Sequence, residues 1–313
     1  MATATVKPMI PFEPTVDAEN LKKSMKVLGT NEDVIINILS KRTSLQRQEI
    51  IRQYRLAYDR DLVKDLKHHL YGKFEDVVVA LMTPLPEYLA HELHRAMKGK
   101  GTNERVLIEI LCTNNNKTIK AIKEAYEEHH GKSLKDAIKD ETSGDFKKLL
   151  EDLVSCEREE EECRPELASE IAKDLFDAGK NRIGTDEEKL RSILTTYSYS
   201  TLRCAFQEYD KMADNPLDHD LRKELSGDFR DAMLAVYLSI YNPAIFFAYE
   251  IHSTMKGMKT RDRSLIRLIV SRCEVDMKLI KTEFHNMFEK TLEKAIKGDT
   301  HGDYKKVLLA LIE

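Results

Sequence analysis

Four short glycine loops are each answered, at one fixed spacing, by a residue that could hold a metal. His69, Glu141, Glu224 and Asp299 stand 39 residues after Thr30, Thr102, Thr185 and Thr260. Each threonine closes a tight loop: MKVLGT from Met25, MKGKGT from Met97, AGKNRIGT from Ala178 and MKGMKT from Met255. Glycine admits backbone angles that turn several carbonyl oxygens toward one point. Carbonyls alone hold a hard cation weakly, and a carboxylate arriving from the later position would add charge and a bidentate ligand. Such a set leaves Ca2+ short of its usual 6–8 oxygens, with open positions for water or an outside anion. Either half alone reads as helix punctuation, since acids are favourable in a first helical turn. Their recurrence together points to calcium.

The elements that must position these residues are also repeated. Five residues after each threonine stands Ile35, Leu107, Leu190 or Leu265, and 24 after it stands Tyr54, Tyr126, Tyr209 or Phe284. At 42 comes glycine (Gly72, Gly144, Gly227, Gly302), and at 44 another aromatic (Phe74, Phe146, Phe229, Tyr304). The chain is an internal repeat. Apolar residues at helical spacing, such as Ile38 with Leu39 and Ile110 with Leu111, predict a buried face after each threonine. Leu62 with Leu66, Leu134 with Ile138, Leu217 with Leu221 and Leu292 with Ile296 predict a later helix. The threonines are expected to cap the first helix, Thr185 with Glu188 as a capping box. Turns such as Ser143-Gly144-Asp145 and Ser226-Gly227-Asp228 should break one helix and start the next. The expected fold class is all-α, with about five helices per repeat.

The threonines are separated by 72, 83 and 75 residues, so the connections differ in length. The longest, SCEREEEECRPE over 155–166, is expected to be a solvated acidic linker dividing the chain into halves of two repeats. The boundaries read 1–15 for a head, 16–84, 85–154, 167–241 and 242–313 for the repeats, and 155–166 for the linker.

With 33% charged and 42% hydrophobic residues, the 313-residue chain has the make-up of a soluble protein with a core. No run approaches the length of a spanning helix, and the start does not read as a secretory signal. The scattered cysteines Cys112, Cys156, Cys163, Cys204 and Cys273 lack zinc spacing and read as reduced thiols of a cytoplasmic protein. A net charge of −4 argues against nucleic acid, and against an anionic membrane unless something supplies positive charge.

The loop Met-Lys-Gly-X-Gly-Thr, answered by an acid before Thr-Ser-Gly or Leu-Ser-Gly, resembles that of the annexins. So do the runs LIRLIVSRCEVD from Leu265 and GDYKKVLLALI near the end. The resemblance extends from about Val16 to Glu313, through all four repeats in order. It implies a slightly curved all-helical disc with calcium loops on its convex face, where the ion bridges protein to the phosphate of acidic phospholipid. In the second repeat the ligands would be the carbonyls of Met97, Gly99 and Gly101 with Glu141. In the third they would be the carbonyls of Gly179, Arg182 and Gly184 with Glu224. Ile183 takes a loop-tip position where some relatives carry Trp, either as an apolar membrane anchor or as an incidental surface residue. The fourth repeat keeps Met255, Gly257 and Asp299, but Lys259 replaces a glycine and should weaken the site. The first repeat carries Val27 for a loop glycine and His69 for the acid, and imidazole is a poor ligand for a hard cation. No primary site is expected there. Minor sites at Thr30 with Glu32, and at Thr102 with Glu104, are compatible with the family pattern. One carboxylate per site implies a calcium affinity on the order of 10⁻⁴ to 10⁻³ M without lipid. The protein would be cytoplasmic, peripheral on membranes when calcium rises, monomeric in solution and open to lateral assembly on a membrane.

An enzyme is the weaker reading. The histidines, including His68-His69 and His129-His130, lack a nucleophile elbow, a phosphate loop or zinc spacing and read as solvated helix faces. A calcium-independent helical scaffold would explain the repeats but not the paired loops and acids. It could act beside the membrane role through a protein partner on the head, Met1 to about Pro14. Ion conduction would draw on Glu92, Glu109 and Arg272, for which buried ion pairs within the helix packing are the alternative.

Overall fold

The computed structural model describes residues 2–26, 29–179 and 185–313. Among the described residues each repeat contributes five helices. The first holds α1 (Pro14–Ser24), α2 (Glu32–Leu39), α3 (Ser44–Tyr58), α4 (Leu62–His69) and α5 (Gly72–Met82). The second holds α6 (Leu85–Met97), α7 (Glu104–Leu111), α8 (Asn116–His130), α9 (Leu134–Glu141) and α10 (Gly144–Ser155). The third holds α11 (Pro165–Ala178), α12 (Glu187–Thr196), α13 (Tyr199–Met212), α14 (Leu217–Glu224) and α15 (Gly227–Tyr241). The fourth holds α16 (Pro243–Met255), α17 (Asp262–Arg272), α18 (Met277–Phe288), α19 (Leu292–Asp299) and α20 (Gly302–Ile312). Among the described residues the one β pairing is a two-residue ribbon, Met25–Lys26 against Gly29–Thr30, inside the first loop. The fold is all-α.

The repeated columns are the core. Ile35, Leu107, Leu190 and Leu265 are buried, as are Tyr54, Tyr126, Tyr209 and Phe284 and all four spaced pairs of the later helix. Burying each such side chain contributes about 1.5–3 kcal/mol, which offsets the ordering of short helices that would not persist alone. Two of the buried tyrosines donate to an aspartate. Tyr54 donates to Asp65 at 2.7 Å and Tyr209 to Asp220 at 2.7 Å, where the other repeats have Ala137 and Ala295. Arg60 also donates to Asp65 and, with Tyr54, holds its carboxyl down to about 2. The glycine column has a backbone cause. Gly72, Gly144, Gly227 and Gly302 open their helices at φ between 61 and 64°, a left-handed angle that strains any residue with a Cβ.

The chain forms two compact units: residues 1–88 with 247–313, and residues 89–246. Unit 1 therefore joins the first repeat to the fourth, and unit 2 joins the second to the third. This corrects the expectation that the acidic linker divides the chain into halves, since both repeats flanking it lie in unit 2. Nor does the linker simply float in solvent. Arg158 donates to the carbonyls of Tyr197 at 2.8 Å and Leu194 at 2.5 Å, with its guanidinium 4.8 Å from the Tyr199 ring. The Glu159 N–H meets the Thr196 carbonyl, and Ser200 donates to the Glu161 carbonyl. One arginine and the backbone thus tie an acidic segment to the α12–α13 corner. The same docking brings Cys163 to Cys204 on α13, where they are joined as a disulfide. That corrects the expectation of five reduced thiols. Cys112, Cys156 and Cys273 are free and buried.

In unit 1 the head is packed down. Thr5 and Val6 both donate their N–H to the Cys273 carbonyl at 3.0 Å, Thr5 Oγ1 donates to the Leu311 carbonyl, and Ala4 and Val6 are buried. Arg272 is occupied by Asp276 at 2.5 Å and lies over the Phe247 ring, as a packing ion pair should. Glu92 and Glu109 are buried in unit 2.

Candidate functional site

The glycine loops and the later acids meet. In every repeat the threonine hydroxyl reaches the residue 39 positions on. Thr30 donates to the His69 carbonyl at 3.4 Å, and Thr260 to the Asp299 carbonyl at 3.4 Å. Thr102 donates to the Glu141 carbonyl at 3.1 Å and also lies 3.2 Å from its Oε2, while Thr185 makes a long 3.5 Å contact to Glu224 Oε2. In the two middle repeats the tie therefore reaches the carboxylate itself. This overturns the capping expectation. The N-cap positions are Asn31, Asn103, Asp186 and Arg261, one residue after each threonine, and Asp186 rather than Thr185 accepts from Lys189 N. A threonine side chain committed to the later turn is not available to its own helix.

Each loop is also pinched at its base. Asn31 N–H meets the Ser24 carbonyl, Asn103 the Ala96 carbonyl, Asp186 the Ala178 carbonyl and Arg261 the Thr254 carbonyl, all at 2.8–2.9 Å. In the second repeat Met97 ends α6, and exposed Gly99 and Gly101 take φ of 108 and 85° before Thr102 and Glu104. Both angles lie in the left-handed region that a residue with a Cβ rarely adopts. Glu141 ends α9, and its charge adds to burial in raising the Tyr126 hydroxyl above its ordinary range. In the third repeat Gly179 caps α11 and Glu224 ends α14. Arg182, Ile183 and Gly184, expected as ligands and loop tip, lie outside the described residues, as does Val27. In the fourth repeat Met255 ends α16, Gly257 takes φ 136°, Lys259 is exposed and Asp299 ends α19.

Two residue columns were overlooked in the sequence: the acid two after each threonine, as a group, and the residue directly after the repeated glycine. They matter because repeats pair. In unit 2, where α10 packs on α12 and α15, a cavity of about 390 Å³ is lined by Glu104, Glu141, Asp145, Glu187, Glu224 and Asp228. In unit 1, where α5 packs on α17 and α20, the same positions line a cavity of about 480 Å³ with Glu32, His69, Lys73, Asp262, Asp299 and Asp303. The first set carries six carboxylates. The second carries a lysine and an imidazole among four, and Lys73 pairs with Asp262 at 3.4 Å. Crowding shows in the first: burial, then the charge of Glu104, raise the Asp228 carboxyl above its ordinary range. The signal was legible as a column reading Lys73, Asp145, Asp228, Asp303, but its meaning required knowing which repeats face each other.

The annexin family model matches residues 16–81, 88–153, 170–236 and 246–311. The chain belongs to the annexin family. Human annexin A8-like protein 1 is 44% identical over 310 residues, spanning 98% of this chain and 95% of that protein. Among solved structures, annexin III superposes with a TM-score of 0.94 at 41% identity, covering 99% of this chain and 96% of its own. A calcium-bound annexin (Sm)1 does so with a TM-score of 0.92 at 35% identity, covering 99% and 92%. In this annexin no helix among the described residues is long and apolar enough to cross a membrane.

Proposed function

We propose that this annexin binds anionic phospholipid membranes in a calcium-dependent way, as a binding protein and not an enzyme, with its second and third repeats as the primary sites. The observation that carries the reading is the tie between loop threonine and cap carboxylate, Thr102 to Glu141 and Thr185 to Glu224. The carbonyls of Met97, Gly99 and Gly101 with Glu141 would hold one ion. Those of Gly179, Arg182 and Gly184 with Glu224 would hold another. The bound ion would supply positive charge and open coordination for a lipid phosphate. Met255, Gly257, Lys259 and Asp299 form a weaker set, because an ammonium beside the loop opposes a cation. The first repeat serves packing, with Thr30 and Glu32 at most a minor site, like Thr102 with Glu104.

The chain's own residues explain why calcium and lipid would act together. Six carboxylates in the unit 2 cavity repel an anionic surface until a cation neutralises them. Because each loop offers a single carboxylate, the coordination is completed from outside, so calcium and membrane affinity rise together. Several sites on one chain add avidity. The test is sedimentation with phosphatidylserine vesicles in calcium and in chelator. Wild type should pellet only with calcium, and Glu141→Gln with Glu224→Gln should remove that binding. Undiminished pelleting of the double variant would sink the assignment.

A further inference from the structure

The second and third repeats are joined by a segment that calcium binding does not use. Residues 155–166 carry six acids and two arginines, with Glu159, Glu160, Glu161 and Glu162 in one run. Like charges at that density repel one another and favour an extended, solvated chain. The segment is nevertheless anchored at two places. At its front, Arg158 is docked on the α12–α13 corner, and Asn116 of α8 donates to the Arg158 carbonyl at 2.8 Å and to Glu160 Oε1 at 3.0 Å. At its rear, the Cys163–Cys204 disulfide ties it to α13.

The rear anchor is not needed for helix packing. α11 packs along α13, and each buries an apolar face, with Ile171 and Leu175 on one and Leu202 and Phe206 on the other. Cys163 lies before that face, two residues ahead of Pro165, which opens α11. The disulfide therefore fixes the acidic segment more than the helix pair. Without it the rear half is held by exposed contacts, from Ser200 to the Glu161 carbonyl and from Arg164 to Glu159. Such contacts contribute little against the repulsion of the run. The other cysteines stand apart. Cys112, Cys156 and Cys273 are buried, and burial raises each thiol, that of Cys273 to about 12. Cys163 and Cys204 are half-buried, within reach of a small thiol from solvent.

We propose that the Cys163–Cys204 pair is a thiol–disulfide exchange site whose redox state latches the acidic segment. Closed, the segment lies against α13. Open, its rear half lifts under its own charge while Arg158 keeps the front half docked. The co-reactant is a small thiol or dithiol. Its thiolate attacks one cysteine sulfur and the S–S bond breaks. A mixed disulfide forms, and the other cysteine leaves as a thiolate that takes up a proton. A second thiolate then displaces the first cysteine from the mixed disulfide, and that cysteine is protonated in turn. The protein disulfide is reduced to two thiols, and two small thiols, or one dithiol, are oxidised to a disulfide. The calcium loops take no part in the exchange.

The experiment treats the full chain, first oxidised with glutathione disulfide, with dithiothreitol under native conditions. Free thiols are blocked with iodoacetamide and mapped by mass spectrometry, and glutamyl endopeptidase digestion reports the acidic run. In the oxidised chain Cys163 and Cys204 should take no label, and cleavage after Glu159 to Glu162 should be slow. After reduction both should label while Cys112, Cys156 and Cys273 do not, and cleavage of the run should speed several-fold. That gain should shrink at high salt, which screens the acids. Cys163→Ser and Cys204→Ser should each be cleaved at the reduced rate and no longer respond to dithiothreitol, with circular dichroism confirming that both remain folded. Label at Cys163 and Cys204 in the oxidised chain, or cleavage indifferent to reductant, would overturn the proposal. So would a gain indifferent to salt, or label spreading equally to the buried cysteines, which would mean that the chain unfolds and does not unlatch.

Discussion

The two compact units hold the same cavity built from the same repeat positions, and they fill it with different amounts of negative charge. In unit 2 the residues two, 39 and 43 after each threonine are Glu104, Glu141, Asp145, Glu187, Glu224 and Asp228. In unit 1 they are Glu32, His69, Lys73, Asp262, Asp299 and Asp303. Unit 1 answers part of its own negative charge through the Lys73–Asp262 pair. Unit 2 has no basic residue at these positions, although Lys148 and Arg191 reach Asp145, and Lys223 reaches Glu224, from outside the set. One backbone scaffold thus supports a sparser set of acids with a lysine among them and a denser set without one. The difference rests on two substitutions in the first repeat, His69 for an acid and Lys73 for an aspartate.

If that comparison is right, the largest effect should come from converting unit 1. Val27→Gly with His69→Glu gives the first repeat the loop MKGLGT and a carboxylate at its cap. We expect this variant to bind one more calcium in the presence of phosphatidylserine vesicles, and to reach half-binding at a calcium concentration several-fold lower, about the gain that one more weak site adds through avidity. Adding Lys73→Asp should enlarge the gain by removing the competing ammonium. A titration identical to wild type would show that loop and acid together are not sufficient, and would return the weight to some other part of the fold.

A second, smaller effect separates the units by stability. Ligand that binds only the folded state stabilises it by RT ln(1 + [L]/Kd). With a Kd on the order of 10⁻³ M, about 10 mM calcium contributes about 1.4 kcal/mol per site and about 3 kcal/mol for two. Thermal unfolding in calcium against chelator should show that increment in wild type and little of it in Glu141→Gln with Glu224→Gln. An equal shift in the two proteins would place the stabilising ion elsewhere.

These outcomes also bear on what the sequence disclosed. The buried columns, from Ile35 to Phe284, were legible because a helix face and a repeated turn are local, and each is written four times. The spacing between loop and cap was legible for the same reason. The pairing of first with fourth repeat and second with third was not, because contacts between distant segments leave no local signature. With the pairing hidden, Asp145 and Asp228 read as ordinary residues after a turn glycine. The clustering of the second-repeat histidines was hidden for a related reason. His91 and His130 are 39 residues apart on different helices, and each alone reads as a solvated face. Thr102 and Thr185 were misread as caps because a threonine before a helix has two uses, and only the folded chain shows that the later turn claims the hydroxyl.

The smallest predicted effect probes the crowding in unit 2 directly. Asp228 is an acid whose carboxyl is raised in the folded state by burial and by Glu104. For such a group the favourable contribution is present below the ordinary carboxylate range and is lost as pH rises through the raised folded value. At neutral pH without calcium, ionised Asp228 therefore opposes folding, modestly because it is exposed. Asp228→Asn should unfold at a slightly higher temperature than wild type in chelator near neutral pH. That advantage should shrink toward zero as the pH falls through the carboxylate range, where wild-type Asp228 is itself protonated. It should shrink again when calcium is added at neutral pH, because a cation near the acidic cavity relieves the repulsion that the substitution removes. An advantage that persisted unchanged in both acid and calcium would mean that Asp228→Asn improves packing or a turn, and that the six carboxylates of unit 2 do not act on one another as a single charged site.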